Sequence, residues 1–139
     1  MRLLLDTHIL VWGFADAARI SAAEEAALRA PDNQVFVSVA CLWEIAVKAA
    51  RGRLDPPSDF RRTIESHPDF KVLPILAEHA WRVRTLPRLH GDPFDRLLVS
   101  QALCEGLTLM SRDPWMGVTA FRSLAIEVKR AQRRLVIRP

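Results

Sequence analysis

Short apolar runs that end in polar or acidic residues alternate along the chain with longer stretches whose apolar positions return every three to four residues. The first run, Arg2–Leu5, stops at Asp6 and predicts a buried strand, with a helix starting near Thr7. Ser21–Ala30 is rich in Ala and Glu and predicts a helix, with Ser21 as its cap and Glu24 at the capping-box position. The segment QVFVS, Gln34–Ser38, predicts a second strand, followed by a helix over Val39–Arg51 that Gly52 closes. Pro56 and Pro57 mark a turn, and a helix is expected over Ser58–Ser66. Phe70–Leu73 is expected as a third strand, Glu78–Leu86 as a helix, and Pro93–Glu105 as a strong helix closed by Gly106. Leu107–Met110 predicts a further strand, and Ala125–Val128 a last one.

This alternation argues for an α/β fold, a parallel sheet with helices on both faces. A length of 139 residues suits one domain, and no repeat or linker divides it. Asp6 interrupts the only apolar run near the start, so no secretory signal is read there. No apolar stretch approaches the roughly 20 residues that span a membrane, and a cytoplasmic location is expected. Cys41 and Cys104 form no CxxC pair and are expected as plain buried thiols. A formal charge of +4 permits a polyanionic partner without establishing one.

The acids change the picture more. Asp6 follows the first strand, Asp113 follows LTLM by a few residues, and Glu44 lies in the helix after QVFVS. In open parallel sheets, ligands bind in the crevice beyond the carboxyl ends of the strands. Asp95 opens the helix leading into LTLM, so it could face the same crevice. Local readings compete. Asp92, Pro93 and Asp95 make a good helix start, Asp113-Pro114 repeats that chemistry, and Asp6 could simply cap the helix after the first strand. Glu44 sits among apolar neighbours in LWEIAV, where an unpaired carboxylate would be costly. Lys48, four residues on, could compensate it; so could a divalent cation. Converging carboxylates suit Mg²⁺ or Mn²⁺, hard ions that prefer oxygen ligands and can activate a water against phosphorus. His8, His67, His79 and His90 show no metal-ligand spacing.

Three segments resemble the PIN-domain ribonucleases of toxin–antitoxin pairs, the VapC type. They are LLLDTHILVW (Leu3–Trp12), SVACLWEIAVKAARGRL (Ser38–Leu54) and LPRLHGDPFDRLLVSQALCEGLTLMSRD (Leu86–Asp113). Their order and spacing fit one domain of that family, and the match fades after Asp113. The resemblance implies a three-layer sandwich whose parallel sheet has about five strands. It implies a nuclease domain over residues 1–128 and leaves residues 129–139 as a basic tail. By the same resemblance the chain is a Mg²⁺- or Mn²⁺-dependent endoribonuclease. Metal-activated water would hydrolyse the RNA phosphodiester to leave 5′-phosphate and 3′-hydroxyl ends. The implied partners are RNA, a protein antitoxin and a second copy in a homodimer, with no membrane.

The family's acidic site carries over onto Asp6, Glu44, Asp95 and Asp113. Asp92 adds a carboxylate or serves only as a cap. Thr7, Ser38 and Ser111 stand beside the acids and could orient them or bind phosphate, with helix capping as the alternative. Arg96 and Arg112 could hold a scissile phosphate or pair with the acids themselves. His8 and His90 flank the acid segments. Trp12, Trp43, Trp81 and Trp115 are expected in the core or an interface, with base stacking open to one of them. Two rival functions remain open at this point. A nuclease acting on structured DNA would share the acidic site, whereas a non-catalytic binding domain would not need all four acids.

Overall fold

The structure, a computed structural model, describes residues 1–86 and 91–113. Its sheet has four parallel strands among the described residues, in the order β3-β2-β1-β4. β1 (Arg2–Leu5) lies inside, between β2 (Gln34–Ser38) and β4 (Thr108–Met110). A strand covered on both faces must be apolar throughout, and Leu3, Leu4 and Leu5 are all buried. β3 (Phe70–Leu73) extends the sheet beyond β2.

The order of the strands creates the crevice. The sheet grows from β1 through β2 to β3 on one side, and β4 is then added on the other side of β1. Such a reversal leaves the chain exits of β1 and β4 splayed, the switch point at which open α/β sheets bind ligands. Leu5 pairs with Met110, and the Asp6 amide still donates to the Met110 carbonyl at 3.0 Å. Asp6 and Ser111 therefore leave the sheet side by side.

Among the described residues, four helices begin at a side chain that accepts from a free amide. α1 (Thr7–Ala15) starts at Asp6, whose side chain accepts from the His8 amide at 3.3 Å. α2 (Ala22–Arg29) has the full capping box of Ser21 and Glu24, as its sequence predicts. α3 (Val39–Ala50) is capped by Ser38, and Gly52 beyond its end has φ 69°. α4 (Phe60–Ser66) begins later than expected, because Pro57 and Phe60 form a turn first. The helix expected over Glu78–Leu86 splits into α5 (Ala77–Arg82) and a 3-10 turn, Val83–Thr85. A 3-10 turn at Ala17–Arg19 had no sequence signal.

α6 (Pro93–Glu105) has Asp92 as cap, Pro93 in its first turn and Gly106 at φ 64° after its end. It is the most buried helix: Leu97, Leu98, Val99 and Ala102 join Ile9, Leu10, Cys41 and Ile45 around the β1 leucines. Burial pushes the Cys41 thiol up to about 12, so it packs as a small apolar side chain. Cys104, expected in the core, is only partly covered, and both thiols are free. The expected strand over Ala125–Val128 and the division at residues 128 and 129 lie outside the described residues.

Candidate functional site

Asp6 is buried at the end of β1, and its Oδ2 accepts from the Ser111 hydroxyl at 2.7 Å. Burial alone would raise its pKa. Hydrogen bonds from His8 and Ser111 outweigh that and hold the carboxyl below its ordinary value. The His8 imidazole, 3.7 Å from Asp6, is raised in turn by that contact. The Ser111 oxygen also accepts from the Asp113 amide at 3.1 Å, which ties the segment after β4 to the end of β1.

Glu44 comes from α3 and is buried. Its Oε2 accepts from Thr7 at 2.5 Å, and its Oε1 takes the Lys48 ammonium at 2.7 Å. The lysine foreseen as a compensating partner is thus in place. From α6, Asp92 accepts from the Phe94 and Asp95 amides at 2.9 and 3.2 Å and fixes the first turn.

Asp95 reports how these acids are arranged. Its carboxyl is pushed up to about 7, first by burial and then by the negative charges of Asp92, Asp6, Glu44 and Asp113. The geometry ties these acids together in two places: Thr7, the residue after Asp6, donates to Glu44, and Ser111 bonds both Asp6 and the Asp113 amide. The acids come from two helices, α3 and α6, and from the ends of two strands, β1 and β4.

A family profile for the PIN domain matches residues 3–121, most of the chain. The chain belongs to the PIN-domain family. PIN domains are typically metal-dependent nucleases. The PIN fold is also seen in a solved structure, that of VapBC2 from Rickettsia felis bound to a DNA fragment from their promoter. That chain and this one share 18% identity, with 89% of this chain and 93% of the other covered at a TM-score of 0.63. No curated protein matches the sequence.

The donor set of this PIN domain fits a hard divalent cation. Its donors are oxygens, and the mutual repulsion that raises Asp95 is what a bound cation would relieve. Asp6, Glu44, Asp95 and Asp113 are the residues that could hold it. Thr7 and Ser111 stand where they orient Glu44 and Asp6.

Two supporting residues have other partners than a phosphate, and for Ser38 that is the helix cap its sequence left open. Ser38 is fully buried, and its hydroxyl accepts from the Ala40 amide at 2.9 Å while donating to Gln101 at 2.5 Å. It caps α3 and has no access to a phosphate. Arg112 turns away from the acids. It donates to Glu24 of α2 at 2.8 Å and 2.5 Å, bonds the Arg19 carbonyl, and lies 4.9 Å over the Trp12 ring. That contact holds Glu24 down to about 2. Arg96 donates to the Val83 and Leu86 carbonyls at 3.2 and 3.3 Å, across the end of the 3-10 turn.

Three further features were not legible in the PIN sequence. Glu78, His79 and Glu105 come together as possible ligands. The His79 ring, however, is buried and already engaged at both nitrogens, by the Leu76 amide at 3.0 Å and by Glu105 at 2.6 Å. It pins α5 to α6. Trp43 and Trp81, expected in the core or an interface, are exposed among the described residues of this chain. Beside α1, α3 and α4 lies an apolar groove of about 440 Å³, lined by Phe14, Ile45, Leu54 and Phe60, with Asp55 and Asp59 among its polar members.

Proposed function

We propose that this PIN domain is a Mg²⁺- or Mn²⁺-dependent endoribonuclease, the toxin of a toxin–antitoxin pair. The observation that carries the nuclease reading is the pair of buried acids at the switch point, Asp6 held by Ser111 and Glu44 held by Thr7, the residue next to Asp6. The choice of RNA rests on the three segments that resemble VapC ribonucleases.

In this reading Asp6, Asp95, Glu44 and Asp113 hold the cation. When bound, it would lower the pKa of a water and offset the charge that builds on the phosphate. Thr7 and Lys48 hold Glu44 in place, Ser111 orients Asp6, and the Asp92 cap fixes Asp95 at the mouth of α6. Hydrolysis would place the water oxygen on phosphorus, break the bond from phosphorus to the 3′-oxygen, and leave one proton of the water on that oxygen. The products carry a 5′-phosphate and a 3′-hydroxyl.

The antitoxin reading draws support from the fold neighbour, a VapBC complex. The apolar groove next to Glu44's helix would take an amphipathic antitoxin segment, and Asp55 and Asp59 favour basic residues on it. By the family resemblance, the antitoxin's tail also covers the acidic cleft. We further assign the PIN domain to residues 1–128, with residues 129–139 as a basic tail, and expect a homodimer in the cytoplasm. None of the described helices is long and apolar enough to cross a membrane.

The test is cleavage of a defined single-stranded RNA by purified protein, with fragment ends identified by mass spectrometry. EDTA should abolish cleavage, Mg²⁺ or Mn²⁺ should restore it, and Asp6→Asn should be inactive yet folded. A 2′,3′-cyclic phosphate as the primary product, or full cleavage in chelator, would refute the mechanism. Cleavage confined to structured DNA would move the substrate, and wild-type turnover in Asp6→Asn would reject the site.

A further inference from the structure

Trp43 immediately precedes Glu44 on α3, and Phe94 immediately precedes Asp95 on α6. The two rings meet edge to face, with centroids 4.7 Å apart and planes at 67°. Glu44 and Asp95 each follow one of these rings by one residue on its helix. The aromatic pair thus sits one residue from the acid pair on both helices. A trans peptide separates successive Cα atoms by only about 3.8 Å.

Trp43 is 50% exposed, although its helix has a well-buried apolar face in Ala40, Cys41 and Ile45. A large ring left open to water beside a polar site is the informative kind of exposure. Phe94 supports one edge of it and limits its freedom, and a braced ring loses less entropy on binding. A second copy of this chain would be a poor occupant. Asp92 and Asp95 flank Phe94 at the start of α6, and self-association there would set acid against acid.

We propose that Trp43, braced by Phe94, is a stacking platform for an unpaired nucleobase flanking the phosphate that reacts. The inference rests on the ribonuclease reading and adds to it a demand on the substrate, which must be single-stranded at that nucleotide. A base locked in a duplex has its faces covered by its neighbours, whereas a loop or end can lay one face on an aromatic ring. Stacking is tolerant of base identity, so Trp43 selects for unpaired structure rather than for sequence.

The experiment is steady-state cleavage in Mn²⁺ of a short RNA whose cut site has been mapped, compared with two versions carrying an abasic nucleotide on either side of that bond. Trp43→Ala should raise KM about 10-fold, with kcat changing far less. One of the abasic substrates should impose a similar rise on the wild type and almost none on Trp43→Ala. Trp43→Phe should keep most of the wild-type KM, whereas Trp43→Leu, which retains apolar contact with Phe94, should behave like Ala. An unchanged KM in Trp43→Leu and Trp43→Ala overturns the platform while the nuclease reading stands. So does equal sensitivity of wild type and variant to the missing base, or a shift in oligomeric state that accounts for the loss. If Trp43→Ala fails to fold, the comparison of Phe with Leu decides. Failure of the wild type to cut any RNA in Mg²⁺ or Mn²⁺ removes the nuclease reading and the platform with it.

Discussion

Ser111 donates its hydroxyl to Asp6 at 2.7 Å across 105 positions of sequence, and the same oxygen accepts the Asp113 amide. One hydroxyl therefore orients one acid of the site and ties down the backbone of another. Parallel pairing of β1 with β4 brings the three residues within reach.

Ser111→Ala should weaken Mn²⁺ binding about 10-fold, the usual effect of removing a group that orients a ligand. Asp6 would lose a donor that lowers its pKa, so the loss should be larger at pH 5.5 than at pH 7.5. Calorimetric titration at both pH values checks this, with far-UV circular dichroism to confirm the fold. Equal affinity in the variant would reduce Ser111 to a turn residue.

Asp95 predicts a gain in stability from losing a charge. Its folded pKa, about 7, lies above the ordinary 3.8, so the folded protein holds this proton more tightly than the unfolded chain does. The resulting stabilisation is full below about pH 4 and disappears as the pH rises towards 7. Asp95→Asn, which cannot charge, should therefore melt above the wild type in chelator at pH 7.5 and show a smaller advantage at pH 5. Saturating Mn²⁺ should reverse the order by stabilising the wild type more. Thermal melts of both proteins under these three conditions suffice, and a metal response unaffected by the substitution would remove Asp95 from the ligand set.

Lys48→Met leaves buried Glu44 without its ammonium partner. Breaking a pair of this kind, with the lysine partly solvated, should cost about 1–3 kcal/mol. If Glu44 also holds the cation, excess Mn²⁺ should recover most of that loss in a denaturant titration. A deficit that metal leaves untouched would make Glu44 a structural acid paired to Lys48 alone.

The Arg112–Glu24 contact makes a different prediction, because it lies on the surface and acts on position rather than on overall stability. Glu24→Gln should leave the melting temperature nearly unchanged, as exposed pairs generally do. It should nevertheless loosen the segment that carries Asp113 and lower metal affinity by up to about 10-fold. Manganese titration of Glu24→Gln and of the exchanged pair Glu24→Arg with Arg112→Glu separates the two roles, since restored affinity in the exchange requires the contact itself. An affinity equal to wild type in Glu24→Gln would show that Asp113 is held by Ser111 without help.

What the sequence determined by itself is local. Apolar runs placed β1, β2, β3 and β4, because a parallel strand buried on both faces has no polar position to spare. Ser21 with Glu24, Asp92 with Pro93, and Gly106 marked helix ends, because a cap is made by residues a few positions apart. The same residues left Asp6, Asp92 and Asp95 with two readings each, and the fold allows both: Asp6 and Asp92 cap their helices, and their charges still push the Asp95 carboxyl up. Tertiary structure decided the rest. Whether β4 joins β1 or β3 turns on which sheet edge α6 can cover, and only the first choice opens the crevice at Asp6. Arg112 found Glu24 and Trp12 instead of the acids, and Ser38 found Gln101, through neighbours from 63 to 100 positions away. Such contacts follow from how whole helices pack on the sheet, and nothing within a few residues of Arg112 or Ser38 encodes them.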